Sequence, residues 1–118
     1  MAVYSLDLNL RHDAPEPITA VLAALPARTA SALWAPGYEV GTVGPSDPRM
    51  DGFTGYVGHA MVRFNDGVSR EAALDTITGL SGVLDGFTIG TTISLHTCFH
   101  DETPPRGCEV EVRYEVVA

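Results

Sequence analysis

The chain has 118 residues, a formal net charge of −8 and an apolar fraction of 45%. That length suits a single domain over residues 1–118, and the apolar fraction excludes an intrinsically disordered chain. The seven basic residues are all arginine and face fifteen acids, so nucleic acid and anionic membrane surfaces are excluded as general partners, as is any chemistry that needs a lysine.

No apolar run approaches the ~20 residues of a membrane span. The opening MAVYSLDLNLRHD lacks a basic start and an apolar stretch, so it reads as part of the domain and not as an export signal. Residues 3–12 alternate: Tyr4, Leu6, Leu8 and Leu10 point one way, and Ser5, Asp7, Asn9 and Arg11 the other. Period two with one polar face predicts a half-buried strand. Ile18, Val21, Leu22 and Leu25 then recur at helical spacing. Asp13 and Glu16 have the spacing of a capping box, Pro15 suits the first turn, and Pro26 is expected to close the helix.

Pro36 and Gly37 break the chain, residues 38–43 predict a short strand, and residues 44–52 read as a long hairpin loop. Trp34, Tyr38, Phe53 and Tyr56 surround that loop. Residues 55–65 predict a second well-patterned strand, with Tyr56, Ala60, Val62 and Phe64 inward and Val57, His59, Met61 and Arg63 outward. Ser69 can cap a helix reaching about Leu80, whose buried stripe is Ala73, Leu74, Ile77 and Leu80. A long strand over residues 87–100 follows, with Phe87, Ile89, Ile93, Leu95 and Phe99 inward and Thr88, Thr92, Ser94, His96, Cys98 and His100 outward. Residues 108–117 predict the last strand, with Val110, Val112, Tyr114 and Val116 inward and Glu109, Glu111, Arg113 and Glu115 outward.

The order β-α-β-β-α-β-β predicts an α+β fold: the ferredoxin-like β-α-β-β-α-β antiparallel sheet with an added C-terminal strand and two helices on one face. The polar side chains would collect on the other face. In the last hairpin the inward residues are odd-numbered on the first strand and even-numbered on the second. A regular ladder therefore pairs odd with even numbers. One such register sets His100 opposite Glu109, Cys98 opposite Glu111 and His96 opposite Arg113. Cys98 and Cys108 would then lie on opposite faces, too far apart to bridge unless a bulge intervenes. Two reduced thiols and a cytoplasmic location are the expectation.

Several groups of residues could carry chemistry. His96, Cys98 and His100 share one strand face near Glu109, a donor set suited to a metal, although alternate strand residues stand ~6.7 Å apart. A paired polar face is the simpler reading, and no metal or other cofactor is expected. His59, His96, Cys98 and His100 are the catalytic candidates. A Cys98–His dyad lacks any recognisable oxyanion partner. His59 and Arg63 can join Asp7, Asn9 or Arg11 across the sheet. Trp34, Tyr38, Phe53, Tyr56 and Arg63 are the candidate ligand-binding residues around the long loop. Together these features favour a small homodimeric module that binds a small molecule, with its chemistry unassigned. A non-catalytic protein-interaction module and a metal site at His96/Cys98/His100 are the alternatives. The residues do not decide between enzyme and binding protein.

Overall fold

The expected central strand forms over Val3–His12 (β1), where Leu6, Leu8 and Leu10 are buried beneath the helices. The computed structural model describes residues 2–35, 41–99, 103–104 and 106–117, without the side chains of Met50 and Asp51. Helix α1 (Pro15–Arg28) buries Ile18, Leu22 and Leu25. The capping box does not form. Ala14 is the N-cap, and its N–H donates to Nδ1 of His12 at 3.0 Å. Pro26 lies inside the last turn and does not end the helix. The closure comes three residues later, where the Thr29 N–H and hydroxyl both reach the Leu25 carbonyl, at 3.1 and 2.9 Å.

Residues 44–52 are not one structureless loop. They hold the rest of strand β2 (Val43–Pro45) and the one-turn helix α2 (Pro48–Asp51), capped by the Asp47 carboxylate. Ser46 clasps the base of this excursion by donating to the Phe53 carbonyl at 2.6 Å and accepting from the Gly55 N–H at 3.1 Å. Strand β3 (Tyr56–Arg63) alternates as expected, and helix α3 (Arg70–Leu80) starts at Ser69, whose hydroxyl accepts the Ala72 N–H.

The long strand expected over residues 87–100 is shorter than its alternation predicts. Strand β4 covers only Thr92–Cys98. Gly86 and Gly90 adopt φ of +84° and +96°, so residues 87–91 turn instead of extending. Ile89, expected inward, is 57% exposed. The final strand is β5 (Cys108–Glu115).

The sheet order is β2-β3-β1-β4-β5, antiparallel at every pairing. This is the ferredoxin-like arrangement with β5 added outside β4. The core lies between sheet and helices, and includes Leu8, Val62, Ile93 and Leu95 against Ile18, Ile77 and Leu80. Burying each such side chain contributes about 1.5–3 kcal/mol. Close packing depends on Gly58, since a Cβ there would lie 2.3 Å from Ile18 Cγ2.

The last hairpin departs from its expected register. From Thr92↔Glu115 to Leu95↔Val112 it is odd-with-even, as the alternation requires. Beyond a shift between Leu95 and His96, the partners become His96↔Val110, Thr97↔Glu109 and Cys98↔Cys108. Glu111 is the extra residue of this bulge. It turns to the helix side, where its carboxylate accepts from Thr97 Oγ1 at 2.8 Å and from Arg70 Nη2 at 3.3 Å. Glu109 is carried to the helix side with Thr97, and Cys108 joins Cys98 on the open face. The two cysteines form a disulfide with Cα atoms 4.1 Å apart. The expectation of reduced thiols on opposite faces is thereby overturned, because the bulge inverts the parity on which it rested.

Candidate binding site on the open face of the sheet

The face away from the helices carries Ser5, Asp7, Asn9 and Arg11 from β1, and Val57, His59, Met61 and Arg63 from β3. Thr92, Ser94, His96 and Cys98 come from β4, with Arg113 and Glu115 from β5. Two depressions divide it. One, of about 620 Å³, is polar and is lined by Asn9, Arg11, Thr42, His59, Thr92, Arg113 and Glu115. The other, of about 570 Å³, lies at the far end, where Val3, Met61 and the Cys98–Cys108 bridge meet Arg63 and Asp66.

The polar depression is framed by backbone ties around Thr91, which is fully buried. Its hydroxyl accepts the Arg11 N–H at 2.9 Å and approaches the Arg11 carbonyl at 3.3 Å. Its own carbonyl accepts the Val116 N–H at 2.9 Å, and the Gly90 N–H returns to the Val116 carbonyl at 3.0 Å. One residue thus joins the end of β1 to the beginning of β4 and the end of β5. Gly90 lets the Arg11 side chain cross close above it, since a Cβ there would lie 3.2 Å from Nη1. The Arg11 guanidinium then lies 5.7 Å from the centre of the Phe53 ring, within cation–π range.

Charge pairing separates the arginines into two groups. Arg49, Arg63, Arg70 and Arg106 each approach a carboxylate. Arg11, Arg28 and Arg113 make no ion pair among the described residues; Arg28 lies in the last turn of α1, whereas Arg11 and Arg113 both line the polar depression. His59 sits beside them, with Nε2 2.6 Å from Asp7 Oδ1. That oxygen is buried, and the contact with His59 is close in distance without hydrogen-bonding geometry; no hydrogen-bond partner reaches the oxygen among the described residues. The pair is diagonal across the β1–β3 ladder, since Asn9 is opposite His59 and Asp7 opposite Met61. The close carboxylate occupies one side of the imidazole and leaves its other nitrogen for a ligand proton.

The other candidate residues are dispersed. His96 is on the open face, where Nε2 meets Ser94 Oγ at 2.9 Å. Cys98 is in the disulfide, so it can serve neither as thiolate nucleophile nor as metal ligand in this form. Glu109 lies across the sheet from these groups, 3.7 Å from Arg106. His100 and Tyr38 fall outside the described residues. Among the described residues, no three His, Cys, Asp or Glu side chains converge as a metal site. Trp34 bridges to Phe64, and the Ala35 N–H donates to the Arg63 carbonyl at 2.7 Å, which puts Trp34 and Arg63 at one end of β3. Tyr56 begins that strand, ~23 Å away at ~3.3 Å per residue. Phe53, which precedes it, lies beside Arg11. Of the described candidates, Trp34 and Arg63 therefore lie at one end of β3 and Phe53 and Tyr56 near the other.

No protein-family model and no curated protein matches this chain. A phage SAM lyase in complex with S-methyl-5'-thioadenosine is similar in structure. Its TM-score is 0.55 at 15% sequence identity, with 98% of this chain and 90% of the lyase chain covered. That likeness extends over the whole sheet and both long helices and shows a shared fold. The neighbour holds a small molecule. No helix of this chain's described residues is long and apolar enough to cross a membrane.

Arg113 and Glu115 are residues that sequence reasoning did not single out, and Arg11 it named only as one that His59 and Arg63 could join across the sheet. The parity of the last hairpin already assigned Arg113 and Glu115 to the open face. What alternation could not supply was their approach to Arg11, which depends on the order β1-β4-β5 and on the turn at Gly90.

Proposed function

We propose that this chain binds a small molecule in the polar depression, with an anionic group of the ligand held between Arg11 and Arg113. The observation that carries this reading is the charge pairing. In a chain with more than twice as many acids as bases, two arginines without a carboxylate partner among the described residues line the same concavity. Guanidinium groups favour carboxylate and phosphate oxygens because their planar N–H forks match them. Asn9, Thr92 and Glu115 supply further polar contacts, and the His59–Asp7 pair gives the site a group able to move a proton. The SAM lyase supports a small ligand on this fold. At 15% identity its reaction is not carried over, and the chemistry remains unassigned.

The test uses two related probes. S-adenosylmethionine bears a carboxylate and S-methyl-5'-thioadenosine does not. Isothermal titration should find the first bound more tightly, with a tenfold or larger loss in Arg113→Ala and in Arg11→Ala. Failure of carboxylate- and phosphate-bearing nucleosides to bind, or equal binding by both variants, would overturn the reading.

We also propose homodimer formation through the far half of the open face, where Met61 is 48% and Val110 54% exposed. Light scattering at micromolar concentration should give twice the chain mass, and a monomer would refute it. A second reading, a protein-interaction module, is supported by β5 as a sheet edge. The cytoplasmic location expected from reduced thiols loses that support, because disulfides persist in oxidising compartments.

A further inference from the structure

We propose that the Cys98–Cys108 disulfide is a reducible site, open to thiolates from solvent, and that its oxidation state selects between two registers of the edge strand β5. The bridge lies on the open face, at one wall of the apolar depression, with Cys108 exposed and Cys98 half-buried. It exists only because of the bulge. Continuing the odd-with-even register of Leu95↔Val112 would set Cys98 opposite Glu109 and turn Cys108 toward the helices. The two sulfurs would then be on opposite faces.

The sequence pattern favours that other register. It would place Val110 beneath the helices in line with Val112 and Tyr114, and return Glu111 to the open face opposite His96. In the bridged form Val110 is 54% exposed, and Glu111 is held by Thr97 and Arg70 instead. A covalent link and the contacts of the Glu111 carboxylate with Thr97 and Arg70 thus oppose a hydrophobic alternation over the same few residues. Removing the link removes the larger constraint on the bulged state. An edge strand can shift at modest cost, since it has one neighbour to re-pair with.

The chemistry is thiol–disulfide exchange. A thiolate attacks Cys108 Sγ, the S–S bond breaks, and the electron pair leaves on Cys98 Sγ. The Ser5 hydroxyl, 3.5 Å away, can donate a hydrogen bond to that thiolate. A second thiolate attacks the outer sulfur of the mixed disulfide and releases the oxidised external disulfide together with the Cys108 thiolate. Both protein thiolates take protons from water. Two external thiols are oxidised and one protein disulfide is reduced.

Dithiothreitol added to the native protein, with thiols counted by a chromogenic disulfide reagent, should release two thiols without denaturant. Cross-strand nuclear Overhauser contacts should then change from His96–Val110 to His96–Glu111. A Cys98→Ser/Cys108→Ser variant should show the second pattern without reductant. Reduced Val110→Lys should keep the first, because a lysine is not accommodated beneath the helices. A bridge that yields thiols only in urea would overturn the accessible site. A reduced wild-type chain that keeps His96–Val110, or a reduced Val110→Lys chain that slips, would overturn the register change.

Discussion

Replacing Thr91 by Val isolates the tie that frames the polar depression. The substitution changes a hydroxyl to a methyl at a fully buried position and leaves little cavity. Its main effect is on the Arg11 N–H, whose partner at 2.9 Å is the hydroxyl. An orphaned buried donor costs about 1–3 kcal/mol. The Arg11 carbonyl loses less, because the Thr88 N–H still reaches it at 3.0 Å and the hydroxyl contact is a long 3.3 Å. Burying the new methyl offsets roughly 0.8 kcal/mol. The expected net loss is about 1–2 kcal/mol, which in a domain of this size lowers Tm by roughly 3–10 °C. Thermal and urea unfolding followed by circular dichroism, with the disulfide intact, measures it. Amide exchange provides the local test, since the Arg11 N–H should lose protection. A variant within about 0.5 kcal/mol of the parent, with the Arg11 amide still protected, would refute the assignment of Thr91 as the tie.

Two further perturbations test the packing and the bulge. Gly58→Ala drives a Cβ into Ile18, and overpacking of this kind should cost about 1–3 kcal/mol, measured by urea midpoint; an unchanged midpoint would refute the close packing. The Thr97 hydroxyl, and after it Arg70, hold Glu111 below its ordinary value near 4.5. The stability it contributes is therefore full above that pH and is lost as pH falls through the lowered folded value. Glu111→Gln should flatten the acid limb of stability below about pH 4.5, and an identical acid limb in the variant would remove that role.

The sequence reading was most complete where a segment obeyed one period from end to end. β1 was legible to the residue, because its inward leucines alternate without interruption and Asp13 and Pro15 stop the pattern. Helix α3 was legible for the same reason, from its Ser69 cap to Leu80. Misreadings arose where a local feature competes with periodicity. Phe87 and Ile89 continue the alternation of β4, yet the glycines on either side take positive φ and turn the backbone. Pro26 did not end α1: its missing donor removes one bond, to the Leu22 carbonyl, while Thr29 closes the last turn from beyond it. The bulge at Glu111 carries no periodic signal. Alternation at Val110 points to the unbulged ladder, and the cross-link decides against it. The polar face as a whole was visible in β1 and β3, whereas the pairing of Arg11 with Arg113 needed two strands separated by some hundred residues to be placed one strand apart.

The bulge also separates the two halves of the open face energetically. Arg113 and Glu115 lie on the part of β5 that pairs with Ser94 and Thr92, before the shift between Leu95 and His96. In either register of the upper hairpin those pairs are the same, and Thr91 still ties Val116 to the end of β1. Reduction should thus reshape the apolar depression at Cys98 and Cys108 while leaving the arginine pair in place. Affinity for a carboxylate-bearing ligand should agree within about twofold between oxidised and reduced protein, or about 0.4 kcal/mol, when titrations with and without dithiothreitol are compared. A tenfold weakening on reduction would mean that the slip runs the whole length of β5. The lower ladder would then lack the independence assigned to it, and the ligand site would be under the control of the disulfide.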